Sequence, residues 1–68
     1  MDQATAERLA TIAKIQGLSS DEEYNLMARA YTYFKQEGLD DATAEHLSAA
    51  AALIGLTDQE QLKRLINI

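Results

Sequence analysis

The side chains able to do chemistry are few, and their spacing decides what each can do. His46 is the single histidine, with Glu45 directly before it. Neighbouring residues on a helix point about 100° apart, so this pair diverges, and a metal or acid–base centre would need further groups from other helices. Asp40 and Asp41 are adjacent acids. A calcium loop opened by either would lack its glycine at the sixth position and its acid at the twelfth. Ser19 and Ser20 stand where a helix begins and read as caps, Ser48 reads as a helix-surface residue, and none has an assignable base. There is no glycine-rich loop carrying a lysine to cradle phosphate. Without cysteine there is neither a disulfide framework nor a thiolate metal site. The expectation is a noncatalytic chain with no metal, no cofactor and no small-molecule substrate implied.

The elements that would hold these residues are marked three times by one pattern. Gly17-Leu18-Ser19-Ser20-Asp21-Glu22-Glu23, Gly38-Leu39-Asp40-Asp41 and Gly55-Leu56-Thr57-Asp58-Gln59-Glu60 each write a helix stop and then a helix start. Glycine takes the left-handed conformation at C′, and the leucine after it folds back on the last turn as in a Schellman motif. Ser19 with Glu22, Ser20 with Glu23 and Thr57 with Glu60 have capping-box spacing. The stops divide residues 1–68 into four helices, at about 4–16, 20–37, 41–54 and 58–67, with no strand signal and no linker. The unequal glycine spacings exclude a solenoid, and the period and tyrosine–glycine spacing of a tetratricopeptide repeat are missing.

The second helix organises the rest. Tyr24, Met27, Tyr31 and Phe34 fall at i, i+3, i+7 and i+10, with Leu26, Ala30 and Tyr33 as a second stripe beside them. Only Asn25, Arg29, Thr32 and Gln36 remain for water. So much apolar surface needs several neighbours, which makes this the central helix of an all-α, compact four-helix domain. The first helix offers Ala6, Leu9, Ala13 and Gln16 alternating with Ile12 and Ile15. The third is alanine-rich, with Leu47, Ala50, Ala51 and Ile54 as its most apolar stripe, and its small residues allow the bulky second helix to approach closely. The fourth turns Leu62, Leu65 and Ile66 inward. Arg8 has no partner one turn away, so the first helix depends on burial.

Eleven acidic and six basic residues give a net charge of -5, which disfavours nonspecific nucleic-acid binding and anionic membrane surfaces. Asp2, Asp21, Glu22, Glu23, Asp40, Asp41, Asp58 and Glu60 all fall at a cap or first turn, where they oppose the helix dipole. The longest apolar run, Ala49 to Ile54, is far too short to span a bilayer, and a cysteine-free chain suits a cytoplasmic location. By elimination the functional expectation is a small protein-interaction module, an adaptor or inhibitor that docks to another protein or to itself as a homodimer. Its candidate partner-binding residues are Tyr24, Tyr33, Leu65, Ile66 and Ile68. Two alternatives compete. Ala51, Gly55, Thr57 and Leu62 resemble the helix-turn-helix arrangement of small DNA-binding domains, which would make the fourth helix the recognition helix, presenting Gln59, Gln61, Lys63 and Arg64. An acidic decoy for a nucleic-acid-binding protein would instead use Asp40, Asp41 and Glu45.

Overall fold

Each helix starts where an acceptor side chain can satisfy the free N–H groups of its first turn. In the computed structural model, which describes residues 1–67, Asp2 accepts the Thr5 N–H at 3.0 Å and opens α1, Gln3–Ile15. Ser20 opens α2, Asp21–Gln36, with a complete capping box: the Glu23 N–H donates to Ser20 Oγ at 3.1 Å, and the Ser20 N–H donates to Glu23 Oε1 at 3.2 Å. Asp40 precedes α3, Asp41–Ile54, without a side-chain cap bond. The start of α4, Gln59–Ile66, corrects the expected cap. Asp58 rather than Thr57 accepts the Gln61 N–H, at 2.9 Å, while the Gln61 side chain accepts the Thr57 N–H. An aspartate one residue nearer the helix outcompetes the hydroxyl for the same donors. All four helices fall within one or two residues of the expected bounds.

The stops work as the Gly-Leu pattern implies. The leucine after each glycine donates its N–H five residues back, Leu18 to the Ala13 carbonyl at 2.8 Å, Leu39 to Phe34 at 3.2 Å and Leu56 to Ala51 at 3.0 Å. This is the long bond of the Schellman motif, which needs a left-handed residue at C′. Gly38, at φ 91°, supplies it.

Such short connections turn the chain back on itself. Ala13 and Lys14 near the end of α1 border one hollow with Ser20 and Tyr24, whereas Thr5 near its start borders another with Tyr31 and Asp41. Hence the start of α1 lies beside the α2–α3 turn and its end beside the start of α2. α2 packs against α3 most extensively and also touches α1 and α4. Its Met27, Ala30, Tyr31 and Phe34 are buried, together with Leu9, Ala13 and Leu18 from the α1 side and Leu62 from α4. The radius of gyration, 10.7 Å, matches the ~11 Å of a compact chain this long.

The third helix turns differently from its sequence pattern. Its buried residues are Ala44, Glu45, Ser48, Ala49, Ala51 and Ala52. Ser48, expected on the surface, has no exposure and donates to the Glu45 carbonyl at 2.9 Å, which satisfies its hydroxyl inside the core. Ile54, expected in the apolar stripe, is 66% exposed, and Ile15 of α1 is 75% exposed. The reason is volume. Phe34, Met27 and Tyr31 are the bulky buried side chains of α2, and the buried face of α3 is correspondingly alanine with Ser48 and Glu45, while the branched side chains are turned away.

Candidate interaction surface

The charged side chains nearest the core are used internally. Arg8, which lacks a partner within α1, reaches α3 instead: its Nη2 lies 2.8 Å from Oε2 and 3.1 Å from Oε1 of Glu45. The Glu45 side chain is only 11% exposed and that of Arg8 59%, so the arginine carries the pair outward to water. One turn earlier on α3, beside the α2–α3 turn, Lys35 lies 2.6 Å from Asp41, and the Tyr31 hydroxyl donates to the same carboxylate at 3.4 Å. The Lys35 hydrogen bond and charge hold the Asp41 carboxyl below its usual range, and the same bond raises Lys35. Burial pushes the Tyr31 phenol up, and the Asp41 charge adds to the shift. These groups staple α1, α2 and α3 together. Asp41 and Glu45 thus face internal partners, leaving Asp40 as the exposed, unpaired acid of the decoy set.

The expected partner residues that are described lie on α2 and α4. Tyr24 is half-buried, its hydroxyl donating to the Ala6 carbonyl of α1 at 3.3 Å, so it joins two helices. Leu65 and Ile66 are partly buried against the core from α4. Ile68 lies outside the described residues. Tyr33 is half-buried and meets Phe34 edge to face, with ring centroids 5.7 Å apart. Burial raises its phenol, as do the charges of Glu37 and Glu60.

Tyr33 also lines a groove of about 730 Å³ between α2 and the start of α4. Asn25, Arg29 and Gln36, the narrow polar face of α2, form one wall, Gln59 and Leu62 stand on the α4 side, and Met1 also borders it. Among the described residues there are two ion pairs, and Arg29 is in neither.

Three large apolar side chains at the ends of α1 and α3 also face water. Ile15, at 75% exposure, Leu53, at 55%, and Ile54, at 66%, are three of the four large apolar residues most exposed to water. Leu53 was not among the expected contact residues. The signal that could have found it is the stripe of small residues Ala44, Ser48, Ala51 and Ala52, at i, i+4, i+7 and i+8, the face that fits a bulky neighbour. Leu53 and Ile54 fall off that face.

The groups of the helix-turn-helix alternative are partly committed elsewhere. Gln59 lines the groove against α2, Gln61 accepts the Thr57 N–H, and Lys63 borders a hollow with Glu37 and Glu60. No helix among the described residues is long and apolar enough to cross a membrane. Set against protein-family models, curated proteins and solved structures, the chain matches none.

Proposed function

We propose that this chain is a noncatalytic protein-interaction module, an adaptor or inhibitor that acts by docking and associates with itself in the simplest case. The observation that carries this reading is the exposure of three large aliphatic side chains, Ile15 at the end of α1 and Leu53 and Ile54 at the end of α3. A small domain has little apolar side chain to spare, because it buries only about 60% of the surface of its unfolded chain. Leu53 and Ile54, adjacent in the chain, leave apolar surface for a partner to cover. A second copy is the cheapest cover, since two-fold symmetry lets one patch face itself. A reducing, aqueous compartment such as the cytoplasm suits a cysteine-free chain.

DNA binding is less well supported, because Lys63 and Arg64 would meet phosphate with Asp58 and Glu60 at the approaching end of α4. The decoy reading loses support where Asp41 and Glu45 face internal cations. Sedimentation velocity over a wide concentration range, with and without duplex DNA, tests the proposal. Concentration-dependent association that ignores DNA and changes little with salt is expected. A monomer that binds duplex DNA with salt-sensitive affinity would replace this reading with the helix-turn-helix one.

A further inference from the structure

The groove between α2 and α4 is built differently from the apolar end face, and we infer that it takes an extended acidic peptide segment. The carboxylate would sit on Arg29 and a neighbouring apolar side chain against Tyr33 and Leu62. Three features of the groove select this occupant.

The first is charge. Arg29 is an exposed guanidinium in a chain of net charge -5, and no carboxylate of the described residues pairs with it. A planar guanidinium meets a carboxylate with two parallel N–H donors, which fixes orientation as well as affinity. Glu37, Glu60 and Lys63 lie past Tyr33, around a separate hollow of mixed charge. An acidic residue is therefore favoured beside Arg29, the groove's unpaired cation among the described residues.

Shape is the second. From Asn25 to Gln36 the polar stripe climbs eleven residues of α2, about 16 Å at 1.5 Å per residue. That length accommodates about five extended residues at 3.3 Å each. A trough this long suits a chain better than a compact metabolite.

The third is hydrogen-bonding character. Asn25, Gln36 and Gln59 each offer an N–H donor and a carbonyl acceptor, the same pair that a peptide unit presents. Their side chains form no hydrogen bond with the other described residues. Tyr33 supplies a ring whose position is fixed by Phe34, an aromatic anchor that needs little further ordering on binding.

The test is a titration of the isotopically labelled chain with acetyl-alanyl-glutamyl-alanyl-leucyl-alanine amide, followed by backbone amide chemical shifts. Saturable shifts confined to residues 25–36 and 57–62 are expected. Replacing the peptide's glutamate by glutamine should weaken binding roughly fivefold, as should Arg29→Gln in the protein, the loss of about one partly exposed charged pair. The peptide arm uses the unaltered chain, so it does not depend on how the variant folds. Absence of saturable shifts, shifts scattered over the surface, or equal binding of the neutral peptide would overturn the proposal. So would equal affinity for free glutarate, which would assign the groove to small carboxylates. None of these results bears on the end face, because Ile15, Leu53 and Ile54 lie outside the groove.

Discussion

The two ends of the α1–α3 pair differ in what they leave for others. Along the first half of both helices the polar groups are consumed internally: Arg8 closes on Glu45, and Asp41 takes Lys35 and the Tyr31 hydroxyl. At the C-terminal end of each helix, Ile15 on α1 and Leu53 and Ile54 on α3 face water. The lesson is that charge here serves cohesion, while the apolar surface not needed for cohesion is gathered where the helices stop. A net charge of -5 therefore says little about partners, because much of it is capping and stapling.

The sharpest way to break this contrast is to remove a large core side chain and compare it with an exposed one. Phe34 is fully buried, and Phe34→Ala should cost about 3–5 kcal/mol. A domain this small has only about 3–10 kcal/mol in total, so much of the variant should be unfolded at room temperature. Ile54→Ala, by contrast, should stay within about 0.5 kcal/mol of the parent. Urea unfolding of the two variants measures both, and similar losses would show that the exposed end is part of the core.

The contrast was only partly legible in the sequence. Helix number, stops and the central position of α2 could be read directly, because Gly-Leu-cap signals and the spacing of Met27, Tyr31 and Phe34 act locally. What could not be read is how α3 is rotated. Its residues are small or apolar nearly all round, so periodicity cannot choose a face, and the choice falls to the bulk of α2. That hid the burial of Ser48 and Glu45, the exposure of Leu53 and Ile54, and the destination of Arg8, 37 residues distant from its partner. Tyr24 seals α1 to α2 through Ala6, and of the four described partner residues only Tyr33 lines the main groove.

Smaller effects refine the internally satisfied half. Arg8→Met leaves the Glu45 carboxylate nearly enclosed without a cation, and should cost about 1–2 kcal/mol, less than a fully buried pair because Arg8 itself reaches water. Adding Glu45→Leu should restore most of that loss, and the double-mutant cycle checks the coupling. Gly38→Ala should cost about 1 kcal/mol through its positive φ alone, since an added Cβ meets nothing within 4 Å. Thermal melts of each variant are sufficient.

The pH dependence of the staple has a defined sign. Asp41 titrates lower in the fold than its ordinary 3.8, so its contribution is present above that value and fades as pH falls through the folded pKa. Tyr31 and Lys35 titrate above their ordinary 10.0 and 10.5, so theirs is complete below those values and is lost as pH rises through the raised ones. Melting midpoints should fall on both sides. In Asp41→Asn the acid-side fall should be shallower, and an unchanged profile would remove the staple from this account.

The most direct measurement compares the intact chain with Leu53→Ser/Ile54→Ser by sedimentation velocity across concentration. Those substitutions lie on exposed side chains and leave the four helices packed, so far-UV circular dichroism should be the same for both. The intact chain should associate as concentration rises and the variant remain a monomer. Identical sedimentation of the two, at every concentration, would contradict the claim that the uncovered end of α1 and α3 is a docking face.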